Sequence, residues 1–235
     1  MARRASSHLI LQGAIDEAAR LEPPPMFTES LVFLDSFSKK HMGAKSNNLK
    51  VLKDKMNADI KLPESATIPF QVLEYTLSLQ PEKLQLLQDK IGLVSKVKSV
   101  KKMNRVLFKC KEIVNSLDFH PNDKHHSFLK EQLLKFGVPD FDQAWVTIKR
   151  VWASKFNERA FLATKKIGVT LNQVFMAVLV QRVIPSEYAF VVHTTNPTNG
   201  NDTEVYVEAC IGMGEALVSD MPGQALSFSY NKKTK

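Results

Sequence analysis

The hydrophobic period of this chain changes once, near Gly168, and that change constrains the fold more than any motif does. Upstream, over residues 81–136 and again from Phe141, apolar residues recur at steps of three and four, as amphipathic helices require. Downstream, residues 174–183 are nearly continuous in apolar side chains, which suits a central strand, and residues 188–194 form a second such run. Residues 204–210 then alternate, with Glu204, Tyr206 and Glu208 on one face and Val205, Val207 and Ala209 on the other. Residues 226–230 suit a last strand. The turn at residues 196–202 is too short for a parallel crossover, so residues 174–184, 189–194 and 204–210 are expected to be neighbouring antiparallel strands. The pattern predicts an α+β fold, helical over its first two-thirds with an antiparallel sheet in the last third.

Finer punctuation divides the helical part. Glu22-Pro23-Pro24-Pro25 is a stiff break after an amphipathic stretch at residues 7–21. A short strand is expected at residues 31–34, then a glycine turn at Gly43 and a helix over residues 45–56. Pro63 and Pro69 frame an extended stretch, followed by a short helix after Phe70. His120-Pro121-Asn122-Asp123 interrupts the next helical region. Asp140 is the expected N-cap of a strong helix whose apolar stripe runs Phe141, Ala144, Trp145, Ile148, Val151, Trp152 and Phe156. Continued by one step, the stripe reaches Arg159. A guanidinium at the end of a buried stripe needs an internal carboxylate or a bound phosphate.

Charge and composition narrow the function classes. The net charge is +8, and between Lys83 and Lys111 the only acid is Asp89. Leu84, Leu87, Ile91, Val94 and Val97 fall on one helical face in that region, so its lysines read as a solvated face, with an anionic partner as the other reading. No RRM, KH, zinc-finger or helix-turn-helix signature supports nucleic acid. No apolar run approaches the roughly 20 residues of a membrane helix. Cys110 and Cys210 form no CxxC unit and read as small core residues of a reducing compartment, while His120, His125 and His126 lack the thiolate or carboxylate company of a zinc site. The basic, serine-containing start, MARRASSHLILQGA, reads equally as a plastid transit peptide and as part of an amphipathic helix.

Two motifs fail on their own spacing. Gly43-Ala44-Lys45-Ser46 imitates a phosphate-binding P-loop but lacks the glycine before the lysine; it offers a glycine turn delivering Lys45 to a helix start. Gly212 and Gly214 make half a dinucleotide fingerprint, with Leu217 where the third glycine belongs, and read as a tight turn. No nucleophile elbow, HExxH or cysteine–histidine dyad is present.

Longer segments say more. The run AWVTIKRVWASKFNERAFLATKK at residues 144–166 is similar to a helix of the α-glucan, water dikinases, the starch-phosphorylating enzymes of plants. So are MAVLVQRVI at 176–184, YAFVVHTTNPTNGNDTEVYVEA at 188–209, GMGEALVSDMPGQALSF at 212–228 and MGAKSNNLKVL at 42–52, all in the family's order. The resemblance implies residues 1–35 as an N-terminal extension and residues 36–235 as an incomplete pyruvate phosphate dikinase-type AMP/ATP-binding domain of ATP-grasp-like fold. It implies ATP and Mg²⁺ as cofactors and α-glucan as a partner of the full-length family. It implies chloroplast localisation, with the cytoplasm as alternative, and no nucleic-acid or membrane partner. By the same resemblance Lys45 and Arg159 contact the phosphates from one shared cleft and Gln181 lies near the base, while Glu208 and Glu215 lie near the ribose or metal. The family's further phosphate- and Mg²⁺-contacting segments, RSDSNGEDLEG-like and VQTRP-like, and its phosphohistidine motif have no counterpart here. Met213 and Gln224 stand where the family has leucine and arginine. No catalytic residue is therefore assigned, and the isolated chain is expected to lack dikinase activity. The rival expectation is a non-catalytic module holding an anionic partner through the basic middle region.

Overall fold

The structure, a computed structural model, describes residues 22–57, 59–218 and 225–233. The expected helix at residues 7–21 lies outside them. The chain divides into two compact units, the first ending at Gln181 and the second beginning at Arg182.

The first unit is mostly helical. Strand β1 (Val32–Phe33) precedes α1 (Lys39–Lys55), then come β2 (Ser65–Ile68), α2 (Val72–Ser78), α3 (Pro81–Lys96), α4 (Val100–Asn115), α5 (Lys124–Phe136), α6 (Phe141–Ala153), α7 (Glu158–Lys166) and β3 (Val178–Gln181). The helix ends follow the local chemistry. Pro81 opens α3 at a position whose missing N–H has no intrahelical partner anyway. The Asp123 carboxylate caps α5 by accepting from the amides of His125 and His126, both at 3.0 Å. Gly137, at φ 96°, ends α5 in the left-handed region, and Asp140 caps α6 by accepting from the Gln143 amide at 3.1 Å. One break was not anticipated: residues 97–99 separate α3 from α4 within a stretch of uniform helical period.

These helices share one core. Leu87, Ile91 and Val94 of α3 meet Leu107, Cys110 and Val114 of α4, with Trp145, Ile148 and Trp152 of α6 behind them. The lysine-rich span keeps its apolar face inward, while Lys96, Lys98, Lys101, Lys102, Arg105 and Lys109 stay exposed. Both cysteines are buried, and burial pushes the Cys110 thiol up to about 11. Phe27 and Leu31, upstream of residue 35, belong to this same core.

The strands correct two expectations. Residues 174–184 contract to β3, which pairs antiparallel with β2 (Ile68 opposite Val178, Ser65 opposite Gln181) and not with the following strand. The sheet order is β1-β2-β3, so β3 is an edge and not a central strand. A continuous apolar run marks burial on both faces but says nothing about which neighbour supplies the hydrogen bonds.

The second unit is a three-stranded antiparallel sheet in the order β4 (Tyr188–His193), β5 (Glu204–Ile211), β6 (Leu226–Asn231), with a short helix α8 (Glu215–Val218). Here the expected antiparallel pairing of residues 189–194 with 204–210 holds, as does the last strand. The turn between β4 and β5 is fixed through Glu204, whose carboxylate accepts from Asn196, Asn199 and Asn201 at 2.7, 3.3 and 2.9 Å. Two helix-rich and sheet-rich units in sequence make the chain α+β, as the period change indicated.

Candidate functional site

Lys45 is placed by the residues around Gly43. Within α1 the backbone breaks at Gly43 (φ 77°, ψ −177°), a conformation essentially confined to glycine, and the helix restarts at once. A Cβ at this position would also meet Phe70 Cζ at 3.0 Å. Two residues on, Lys45 is exposed in the first turn of the restarted helix, where backbone N–H groups point outward. Ser46 beside it is buried and accepts a hydrogen bond from Thr67 Oγ1 of β2 at 2.9 Å, which ties this helix start to the sheet. Gly43→Ala should therefore destabilise the protein by about 1–3 kcal/mol, read as a lower midpoint in urea unfolding.

Arg159 does not sit where the stripe predicted. Helix α6 ends at Ala153, a single 3₁₀ turn covers Ser154–Phe156, and Asn157 turns extended (ψ 145°) before α7 begins. That corner ends the stripe at Phe156, so Arg159 lies exposed in the first turn of a new helix and no internal bridge is required. Its neighbour Glu158 accepts from Asn104 Nδ2 of α4 at 2.6 Å. The N-cap, Asn157, makes no side-chain bond to the helix. Arg159 thus shares the placement that the sequence indicated for Lys45 alone: each is an exposed cation in the first turn of a helix.

The buried cation of this corner is Lys155. Its side chain is 6% exposed, and its ammonium lies 3.7 Å from Glu74 Oε1 and donates to the Val174 carbonyl at 3.0 Å. Burial pulls the Lys155 ammonium below the usual lysine range and pushes the Glu74 carboxyl above the usual carboxylate range, each opposed by the other's charge. Glu74 Oε2 is buried without a hydrogen-bond partner. Lys155 stands three residues after Trp152, on the same helical face, and that spacing was the signal available in the sequence.

Gln181 ends β3, where its Nε2 donates to Ser65 Oγ at 3.0 Å. A groove of about 340 Å³ runs beside this strand, lined by Val178 to Val180 together with Pro139, Gln143, Thr147 and Val151. In the second unit Glu208 is half-buried at mid-strand, opposite Val191 on one side and Ser227 on the other. Glu215 is exposed at the start of α8. Between them Gly212 (φ 84°) donates its N–H to the Glu187 carbonyl at 2.7 Å, the tight turn expected there. So the first unit carries Lys45, Arg159 and Gln181, and the second carries Glu208 and Glu215.

Comparison with known proteins defines the class. Residues 122–225 match the family described as "Pyruvate phosphate dikinase, AMP/ATP-binding domain". Within that class the chain is 39% identical over 211 residues, 84% of its length, to the "Alpha-glucan water dikinase, chloroplastic" of Citrus reticulata. It is 38% identical over 214 residues to the protein of the same name from Solanum tuberosum. A 93-residue stretch, 40% of the chain, is 34% identical to the phosphoenolpyruvate synthase of Pyrococcus furiosus. Residues 122–225 therefore belong to the pyruvate phosphate dikinase AMP/ATP-binding family, and the chain is a homologue of the α-glucan water dikinases. It spans 14% of the length of each of the two dikinases.

Proposed function

We propose that this chain is the ATP-binding region of an α-glucan water dikinase, whose family reaction converts ATP, α-glucan and water into AMP, phosphoglucan and phosphate. The observation that carries this reading is Lys45, delivered by a glycine-only kink to a restarted helix. A cation and free backbone N–H groups at a helix start are what a phosphate needs. Arg159 offers the same combination at the start of α7. The base lies along β3, an edge strand with a groove of nucleobase-accommodating size beside it, and Gln181 contacts it. In the second unit, Glu208 and Glu215 are the acidic residues that the resemblance assigns to the ribose or the metal. The ATP-grasp-like arrangement and the domain span 36–235 belong to the same reading, as does chloroplast localisation; the two dikinases are named chloroplastic. Among the described residues no helix is long and apolar enough to cross a membrane.

Mg²⁺ prefers oxygen ligands and is commonly held by nucleotide phosphates, waters and one or two carboxylates; Glu208 and Glu215 are the carboxylates that the resemblance assigns to that role. Such an ion would neutralise charge on the phosphates. Lys45 and Arg159 orient the phosphate chain, and the apolar wall of β3 excludes water from the base. The family match favours this reading over a module that only holds an anion through the basic face of α4.

Titration of the purified chain with ATP tests it. Lys45→Ala and Arg159→Ala should each weaken binding by about tenfold or more, since a hydrogen bond to a charged group contributes roughly 1.5–3 kcal/mol. Lys102→Ala, on the solvated face of α4, should leave affinity unchanged. Equal ATP affinity in all four proteins would rule the assignment out.

A further inference from the structure

The buried ammonium of Lys155 occupies a particular point in the chain path. Strand β2 runs out through Ile68 into α2, which carries Glu74. Strand β3 is approached through Val174, whose carbonyl accepts from Lys155. Because the two strands are antiparallel with Ile68 opposite Val178, the exit of one and the approach to the other lie at the same end of the pair. Lys155 thus touches the flanks of both strands, with its side chain buried and its ammonium 5.4 Å from the centre of the Phe156 ring. At the other end of the pair Gln181 Nε2 donates to Ser65 Oγ, which donates in turn to the Pro63 carbonyl at 2.8 Å. The β2–β3 pair is therefore held at both ends by side-chain bonds, one of them a charge buried at high desolvation cost. An apolar side chain would fill the corner without that penalty, but would leave the approach to β3 untied.

We propose that Lys155 is a positioning residue of the nucleotide strand: its ammonium clasps the β2–β3 pair at the end opposite Gln181 and so sets where β3 meets the base. The second half of this statement rests on the nucleotide reading above; the first half does not. The amine acts through the Val174 carbonyl, while the Glu74 carboxylate offsets its charge. Removing Glu74 alone leaves the strand tied; removing the amine releases it.

The test uses the full chain with three variants: Glu74→Gln, Lys155→Arg, and the double change Glu74→Gln with Lys155→Met, which leaves no unpaired buried charge. Amide hydrogen exchange is followed at β2 and β3, with α4 and α6 as reference. The double variant should exchange tenfold or more faster at residues 178–181 while α4 and α6 keep their protection. Glu74→Gln should keep β3 protected, and Lys155→Arg should restore most of the protection. In nucleotide titrations the double variant should lose at least threefold of its preference for ATP over GTP, a ratio that general loosening would leave alone. Unchanged exchange at β3 in the double variant overturns the proposal. So does equal loosening by Glu74→Gln, or loss of protection throughout the unit, which would make Lys155 a general core residue. Absence of ATP binding by the unaltered chain refutes the nucleotide reading and leaves the exchange result to decide the clasp.

Discussion

Lys155→Met alone should lower the unfolding free energy by about 3–5 kcal/mol, and adding Glu74→Gln should return most of that loss. The single change leaves the Glu74 carboxylate in a site where it keeps no cation, with one oxygen already lacking a hydrogen-bond partner. An uncompensated charge in such surroundings either stays ionised at a large desolvation cost or takes up a proton. The direction of both perturbed groups agrees: burial drives the carboxyl upward and the ammonium downward, and the partner's charge is the largest influence opposing each shift. The double variant removes both charges together and keeps the volume of both side chains. Urea unfolding with linear extrapolation measures all three variants. If the two single changes simply add in the double, the pair is not coupled and the account of this corner is wrong.

Acid should weaken the fold through His126, by about 3 kcal/mol between pH 6.5 and pH 4. This ring is completely buried. Its Nδ1 accepts the His120 backbone N–H at 3.0 Å, and its Nε2 meets Thr76 Oγ1 at 3.0 Å, while the Thr76 hydroxyl donates to the Val72 carbonyl. That arrangement requires the neutral ring protonated on Nε2. Burial lowers its pKa from 6.5 to about 4, with Asp123 opposing the shift and His120 and His125 adding to it. Above pH 6.5 both folded and unfolded chains carry the neutral ring. Between pH 6.5 and about 4 the unfolded chain binds a proton that the folded chain refuses, so stability falls as the pH falls. Below about 4 both states are protonated and the loss levels off. His126→Gln keeps a polar side chain but no titration, so its stability should be nearly flat over that window relative to the wild type. Asp118, held below the ordinary carboxylate range by the Lys83 ammonium, titrates at lower pH and is common to both proteins. Equal acid slopes in wild type and variant would remove His126 from the account.

Two of the three neighbouring histidines serve the fold. His126 spends both nitrogens on the fold, and the His125 ring packs edge-on against Phe27 and Tyr75. Sequence spacing put them near one another without indicating how each nitrogen would be used.

What the sequence determined by itself was local. The Asp140 cap, the glycine turn before Lys45, the interruption ahead of Asp123 and the alternation from Glu204 to Cys210 each depend on residues a few positions apart. Steric limits on φ and ψ, capping chemistry and hydrophobic period act over that range. The long matches to the dikinases gave the family for the same reason, because they compare order along a chain. What only the tertiary structure decided was which distant segments meet. Residues 174–183 read as a strand in either environment, but β2, far upstream, supplies the partner. The stripe of α6 ran to Phe156 with Val151 exposed and Ala144 half-buried, and a 3₁₀ turn and Asn157 then turned the chain, leaving Arg159 in solvent and Lys155 inside. The buried ammonium found its carboxylate at Glu74, in another helix. Hydrogen-bond pairing between strands and the compensation of a buried charge are settled by contacts between segments, and no window along one segment contains both partners.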